Sequence, residues 1–373
     1  MVLSTPKNGI STKLHSTSNK SKSNYANKPG KEAPAQNNEF GGFQVIRETL
    51  SGRGLPEDTS DIILSAWRQS TQKQYGSYIN RWMLFCNERA CSPFTASAEH
   101  LVLFLTMLFR EGLGYSAINT ARSAVSSLSS LYNSDGGNVG SHPLVTKFVK
   151  GVFTKRPSLP RYQETWNVSD VLDYVSSLSP SKTLSLKHLT WKLTMLLALV
   201  TGQRGQTIHL IKLSDFSFTD TGVTISFSEL LKTSKPGNHQ KPVHISSFKD
   251  NIQLCVVDVL RVYIAFTEKL RCNESKLLIG TVAPHKGICR ATISRWIKCV
   301  MVNAGIDTDI FKPHSTRAAI TSAALHKTVP LGQILATAGW KTDCTFKKFY
   351  YKNIVQSSTS STSNKTAVAL PIM

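Results

Sequence analysis

"KPHSTRAAITSAA", residues 312–324, predicts a helix that begins behind Pro313 and presents His314 and Arg317 on one face, because side chains three residues apart are neighbours on a helix. The other residues are mostly small, which would let this helix pack closely against its neighbours. An arginine fork can bind two phosphate oxygens, and a histidine beside it can donate a hydrogen bond or move a proton. The stretch therefore indicates a phosphate site, with an incidental basic pair on a capped helix as the plainer alternative.

Two upstream stretches place basic residues at turns. "VTGQRGQTIHLIKLSDF", residues 200–216, has Arg204 beside two glycines, in a predicted turn between an apolar helix and the next one. "LLKTSKPG", residues 230–237, has Lys232 and Lys235 on a turn that joins two predicted strands. An arginine at a glycine turn can reach phosphate oxygens while the backbone stays close to them. Taken singly, a surface arginine and two solvated lysines would explain these patterns equally well.

A downstream stretch supplies aromatic residues. "ILATAGWKTDCTFKKFYYKNI", residues 334–354, has Trp340 directly after Gly339 and the adjacent tyrosines Tyr350 and Tyr351. A tyrosine hydroxyl can act as a nucleophile when its surroundings activate it. Aromatic side chains are more often core residues, so this stretch acquires meaning only together with the basic ones.

The composition points to a polyanionic partner. The chain has 373 residues, 40% of them hydrophobic, and a formal net charge of +21. This excess of positive charge favours nucleic acid as the partner. The seven cysteines are odd in number and form no CxxC pair, which argues against a disulfide framework or a zinc module and fits a reducing compartment. The sequence contains no apolar run of about 18–20 residues, so no membrane span is predicted, and no secretory signal is visible.

Periodicity divides the chain into five parts. Residues 1–55 are predicted to be a disordered basic tail, 58–155 a compact helical unit, 156–167 a linker, 168–355 a mostly helical unit with a small sheet, and 356–373 a second tail. The sheet would contain two strands, one within "GVTISFSELL" and one within "KPVHISS". The fold class is therefore mainly α, with an α+β second unit.

The order Arg, Lys, His-x-x-Arg, Trp, Tyr resembles the tyrosine recombinase family of the phage-integrase type, over about residues 60–354. The wording "TGQR", "PHSTRAA" and "TFKKFY" is closest to eukaryotic mobile-element members of the DIRS-like or Crypton kind. The resemblance implies a helical core-binding (SAM-like) domain followed by a catalytic domain with a small antiparallel sheet. It also implies a catalytic set: Arg204, Lys232, His314, Arg317, Trp340 and Tyr350.

The chemistry that the resemblance implies is cutting and rejoining of double-stranded DNA. The tyrosine would attack a backbone phosphate and form a 3′-phosphotyrosyl link, which a 5′-hydroxyl from another duplex would later reverse. Neither cofactor nor metal is expected. Exchange between two duplexes implies a tetramer assembled on paired DNA sites. A eukaryotic mobile element would act in the nucleus.

The choice between the two tyrosines follows from helical geometry. If the helix continues through them, Phe346, Phe349 and Tyr350 line its apolar side, whereas Tyr351 falls on the flank of Lys347. Tyr350 would then point toward the domain body, and the "FY" pattern of the family selects the same residue. Tyr350 is therefore the predicted nucleophile.

Some alternatives stay open at the level of sequence. The family's lysine could be Lys232 or Lys235, and the "KT" wording favours Lys232. Many relatives carry an acidic residue three positions after the first arginine, where this chain has Thr207, so a decayed recombinase that only binds DNA is one rival function. A type IB topoisomerase is a second rival, although the separate helical domain speaks against it. A helix-turn-helix regulator would explain the charge but not the order of the motifs.

Overall fold

A computed structural model describes residues 41–132, 138–159, 162–237 and 239–355. The chain divides into two compact units, Met1–Ser158 and Leu159–Met373. The predicted tail 356–373, and the predicted tail 1–55 as far as residue 40, lie outside the described residues.

The described part of the first unit is helical. Its helices are α1 (Gly42–Gly52), α2 (Glu57–Ser65), α3 (Gln69–Glu88), α4 (Ala98–Arg110), α5 (Tyr115–Tyr132) and α6 (Pro143–Lys155). Ser97 caps α4 by accepting a hydrogen bond from the His100 amide. Fully buried aromatic residues of α3 and α4 form the centre of the core, where the rings of Trp82 and Phe104 are 5.2 Å apart. The predicted helical domain is thus confirmed.

Helix α1 corrects the predicted boundary of the N-terminal tail. Val45, Ile46 and Leu50 of α1 are buried in the core of this unit. Gly42 packs so tightly that a Cβ there would lie 2.3 Å from the Gly76 carbonyl oxygen of α3. The prediction of disorder up to residue 55 is therefore wrong from Gly42 onward, because α1 owes its burial to a partner helix that local composition does not reveal.

The second unit is built around one buried helix. Its elements are β1 (Glu164–Thr165), α7 (Val168–Ser177), α8 (Leu186–Thr201), α9 (Gly205–Ile208), β2 (Phe216–Phe218), β3 (Gly222–Ile225), β4 (Val243–Ser246), α10 (Val256–Thr267), α11 (Arg290–Asn303), α12 (Ser315–His326), α13 (Leu331–Ala338), α14 (Asp343–Phe349) and β5 (Asn353–Ile354). Every residue of α8 from Leu189 to Thr201 is buried, and helices α10, α11 and α12 pack on it. Helix α8 therefore fixes the positions of the elements that carry the motif residues.

A three-stranded antiparallel sheet, in the order β2-β3-β4, covers part of this core. The two predicted strands correspond to β3 and β4, so the predicted small antiparallel sheet is confirmed. Strand β2 was not predicted. Its residues are only partly covered, so they give no clear buried pattern.

The predicted linker also needs correction at its C-terminal end. Within residues 156–167, Glu164 and Thr165 form β1, which pairs in parallel with β5 near the end of the chain. The adjacent Trp166 is 2% exposed, and its indole N–H donates to the Ser315 hydroxyl at 2.8 Å. These residues belong to the second unit. A two-residue strand with a partner almost 190 positions away leaves no local sequence signal.

Candidate active site

The Arg317 side chain is held in the core of the second unit with part of its donor set unused. It is 2% exposed, its Nη2 donates to the Ala338 carbonyl oxygen at 2.7 Å, and its guanidinium carbon lies 3.9 Å from the centre of the Trp340 ring. Its Nε and Nη1 have no hydrogen-bond partner among the described residues. A buried donor is normally paired, so these two unpaired donors are unusual among the described residues.

Trp340 forms the wall against which Arg317 stacks. Helix α13 is followed by its C-cap residue Gly339, whose φ of +72° is in the left-handed region that favours glycine. The Trp340 amide then donates to the Leu335 carbonyl at 2.9 Å, which closes the turn. The indole is 7% exposed, and its Nε1 has no partner within the described parts of the chain. A third buried donor is thus unpaired at the same place.

Arg204 enters the site from the end of α8. That helix stops at Gly202, which has a φ of +55°, and Arg204 is the N-cap residue of α9. The amides of Thr207 and Ile208 donate to its carbonyl at 2.8 and 3.1 Å. Burial first, and then the positive charge of Arg204, lowers the pKa of Arg317 to about 9. The two arginines therefore share one electrostatic environment.

Tyr350 and His314 meet across the site. The His314 Nε2 lies 3.2 Å from the Tyr350 hydroxyl, and the Tyr350 ring centre lies 4.7 Å from that of Trp340. Tyr351 points elsewhere: it is 43% exposed, and its ring lies 6.0 Å from that of His326. Of the two adjacent tyrosines, it is therefore Tyr350 whose hydroxyl lies beside His314.

The helical argument that selected Tyr350 was wrong in one respect. Helix α14 ends at Phe349, so Tyr350 is its C-cap residue, and Phe349 is 59% exposed and does not line an apolar side. The amides of Tyr350 and Tyr351 both donate to the Phe346 carbonyl, at 2.8 and 2.9 Å. Tyr350 reaches the site because the chain turns there.

Positive charge dominates the surroundings of His314. His314 keeps an exposed surface, but partial burial lowers the pKa of its imidazole to about 4, and four cations add to this effect: Arg317, Arg204, Arg290 and Lys232. The imidazole is therefore neutral at pH 7 and can accept a proton. None of these four cations has a carboxylate within 4 Å in the described ranges.

Lys232 and Lys235 both lie exposed between β3 and β4. The turn is anchored by the buried Leu231, whose amide donates to the Ser234 hydroxyl at 3.0 Å. Lys232 is among the charges that lower the pKa of His314, and Lys235 is not. The electrostatics thus favour Lys232, in line with the "KT" wording.

Sequence reasoning missed Arg290. It is the first residue of α11, it is exposed, and its charge also reaches His314. Its position in the sequence gives no signal that connects it with the other site residues.

The position of Thr207, where many relatives have an acid, is buried at 5% exposure. The Thr207 amide caps the turn that carries Arg204, and its side chain brings no negative charge. The site therefore keeps its full positive charge, which suits the binding of an anion.

The described residues provide neither a membrane-spanning helix nor a metal-binding cluster. No helix there is long and apolar enough to cross a membrane. The same residues contain no group of three or more His, Cys, Asp or Glu side chains that could hold a metal ion.

Solved structures of two recombinases have a similar fold. XerH site-specific recombinase bound to difH substrate, in a pre-cleavage complex, is 14% identical with a TM-score of 0.54, over 74% of this chain and 75% of that chain. The Tn1549 transposon integrase in complex with transposon right end DNA is 12% identical with a TM-score of 0.53, over 83% of this chain and 95% of that chain. At these identities the likeness concerns the fold.

The family is shown by the sequence models. No curated protein matches the chain. Residues 46–135 match the model of the phage integrase N-terminal SAM-like domain, which begins within α1 and so agrees with the corrected boundary. Residues 169–356, half of the chain, match the model of the phage integrase family. The chain therefore belongs to the phage integrase family, the tyrosine recombinases.

Proposed function

We propose that this protein is a site-specific DNA recombinase that cuts and rejoins DNA strands through a 3′-phosphotyrosyl intermediate on Tyr350. One observation carries the proposal: the Tyr350 hydroxyl lies 3.2 Å from a neutral imidazole, beside a buried guanidinium that has two donors without partners among the described residues. A phenol, a proton acceptor and free donors for phosphate oxygens are the groups that phosphoryl transfer to a tyrosine requires.

The first role is phosphate binding. The free Nε and Nη1 of Arg317 would donate to nonbridging oxygens of the scissile phosphate, and the Trp340 indole N–H would donate beside them. Arg204 would add its charge on the other side. Negative charge grows on these oxygens as the phosphorus becomes pentavalent, so donors that are fixed beforehand stabilise the transition state more than the ground state.

The second role is transfer of the phosphoryl group. The Tyr350 oxygen forms a bond to phosphorus while the bond to the 5′ oxygen of the next nucleotide breaks. His314 Nε2 accepts the phenolic proton, and Lys232 supplies a proton to the departing 5′ oxygen. The product keeps a phosphodiester to tyrosine, so a 5′-hydroxyl can reverse the reaction without another energy source. Attack by the hydroxyl of a second duplex gives strand exchange.

Three further features belong to the proposal. Double-stranded DNA is the substrate, and paired sites imply four protomers, one for each cleaved strand. A mobile-element origin of the DIRS-like or Crypton kind is supported by the motif wording and by the fold shared with a transposon integrase. The nucleus is then the proposed location. A fluorescent fusion that stays outside the nucleus of a eukaryotic cell would contradict that location.

Strand exchange between two duplexes tests the function against its rivals. Two labelled duplexes from the DNA that flanks the gene would be incubated with the protein, and recombinant duplexes of new length would be scored. A recombinase yields recombinants. A type IB topoisomerase relaxes supercoiled DNA and yields none. A decayed relative retards both duplexes in a salt-dependent manner and leaves every strand intact.

A further inference from the structure

A buried serine of α12 contacts the backbone on both sides of Tyr351. Ser322 is fully buried. Its hydroxyl donates to the Tyr350 carbonyl oxygen at 3.0 Å and accepts from the Lys352 amide at 3.0 Å. One side chain thus satisfies both a backbone acceptor and a backbone donor in the segment that carries the phenol.

The position of Ser322 along α12 gives these bonds a meaning beyond packing. The same helix carries Arg317, and His314 is its N-cap residue. Ser322 therefore joins the element that holds the phosphate-binding groups directly to the backbone of the nucleophile. The Tyr350 hydroxyl is at the far end of a long side chain, so a small backbone shift changes its distance from His314.

Other bonds hold the segment at its two ends. Upstream, the Tyr350 amide donates to the Phe346 carbonyl at 2.8 Å. Downstream, β5 pairs with β1, and the Val355 amide donates to the Thr165 carbonyl at 2.8 Å. These bonds would keep the segment folded without the serine. The Tyr350 hydroxyl also lies 3.2 Å from Nε2 of the N-cap residue His314, but among the hydrogen bonds of the described residues it is the Ser322 bonds that link the backbone of this stretch to α12.

We propose that Ser322 is a positioning residue, which sets the register of the Tyr350 segment against α12 so that the phenol faces the bound phosphate. The inference rests on the proposed function for its catalytic consequence, whereas the anchoring itself does not depend on catalysis. Misplacement of a reacting group by about 1 Å costs on the order of 100-fold in rate. Loss of the anchor should therefore lower the cleavage rate and leave DNA affinity unchanged.

The test compares Ser322→Ala with Thr321→Val in the full chain. Thr321 is the preceding residue, is equally buried, and donates its hydroxyl only to the Arg317 carbonyl of its own helix at 2.7 Å. Both variants lose one buried hydroxyl of α12, but only the first loses contact with the tyrosine segment. Ser322→Cys, which keeps a weak donor and acceptor of similar size, is the rescue variant.

Two readouts are combined. Amide hydrogen exchange of residues 350–352 in the free protein should be at least 10-fold faster in Ser322→Ala than in wild type or Thr321→Val. Cleavage of a nicked duplex at saturating protein should be 10- to 100-fold slower in Ser322→Ala, with an unchanged Kd for the duplex and partial recovery in Ser322→Cys.

The outcomes separate the two proposals. Unchanged exchange in Ser322→Ala overturns the anchor, whatever the cleavage result. Faster exchange with an unchanged cleavage rate overturns the positioning role. If wild type cleaves no duplex, the proposed function fails while the exchange data still decide whether Ser322 anchors the segment.

Discussion

Replacement of Arg317 with methionine should stabilise the free protein while it removes DNA cleavage. The charge of Arg317 is buried, is not paired with a carboxylate within 4 Å in the described structure, and has two donors without a partner. Burial, followed by the repulsion from Arg204, lowers its pKa from the ordinary value of an arginine to about 9. Such a site favours an arginine only when an anion is bound.

The magnitude follows from opposing contributions. A pKa change of this size corresponds to an unfavourable free energy on the order of 5 kcal/mol for the charged form. The substitution also removes the hydrogen bond to the Ala338 carbonyl, at a cost of about 2 kcal/mol with the acceptor left buried. Loss of the stack on Trp340 costs up to about 2 kcal/mol, which the thioether of methionine partly offsets. The net stabilisation is about 1 kcal/mol, or roughly 2–4 °C in the Tm of a unit of this size.

The assay is thermal unfolding of wild type and Arg317→Met at pH 7, with Arg271→Met as the matched control. Arg271 is also buried, but all three of its guanidinium nitrogens have partners: Thr267 Oγ1 and the carbonyls of Lys276 and Leu277. The control should therefore destabilise the protein by about 2 kcal/mol or more. In cleavage of a nicked duplex, Arg317→Met should be at least about 1,000-fold slower than wild type, because it removes more than one donor to the transition state.

The pH dependence supplies an independent check. Below the folded pKa of about 9, Arg317 is charged in both folded and unfolded protein, so the penalty is constant. As pH rises above about 9, the folded protein releases the Arg317 proton while the unfolded protein keeps it. The stability of the wild type therefore rises relative to that of the variant. The advantage of Arg317→Met should therefore shrink above pH 9. A Tm several degrees below that of wild type at pH 7 would refute the reasoning.

Three other perturbations have expected results. The pKa of His314 is lowered to about 4 in the folded state, against a usual value of about 6.5, so the wild type should lose stability as pH falls from 6.5 to 4. In acid unfolding curves, His314→Gln should lose less stability than the wild type over this range. Equal losses would contradict the lowered pKa. Lys232→Ala should slow cleavage of a nicked duplex by at least about 100-fold, whereas Lys235→Ala should leave the rate within about 3-fold, and the reverse order would exchange their roles. Gly42→Ala should destabilise the first unit by about 1–3 kcal/mol in chemical denaturation, because the added Cβ would meet the Gly76 carbonyl. Gly41→Ala, where a Cβ meets nothing within 4 Å, is the neutral control. Equal denaturation midpoints for the two variants would place α1 outside the core.

The sequence was sufficient to predict the fold class for two reasons. Helical periodicity is a local signal, and the order of the motifs can be seen directly along the chain. The candidate site residues came from the resemblance that the motif order carries, and that resemblance did not include Arg290, whose charge also reaches His314. Helix α1 and strand β1 were missed because both depend on distant partners. Their burial and pairing are properties of the folded chain.

The details of the site show the same limit. Tyr350 was chosen by the "FY" pattern and by a helical argument, and the helical argument was wrong because the helix ends at Phe349; the structure places Tyr350 beside His314. Ser322 entered the sequence argument only as a small residue, since nothing in "TSAA" indicates a hydroxyl that reaches the backbone of residues 350 and 352. Arg290 lies in none of the sequence motifs, so the sequence did not connect it with His314.

Covalent trapping tests the central claim most directly. Wild type, Tyr350→Phe and Tyr351→Phe would be mixed with nicked duplexes from the DNA flanking the gene, quenched in detergent, and mapped by mass spectrometry. The account predicts a DNA adduct on Tyr350 in wild type and in Tyr351→Phe, and no adduct in Tyr350→Phe. An adduct that persists in Tyr350→Phe, or binding of the same duplexes by wild type without any adduct, would contradict it.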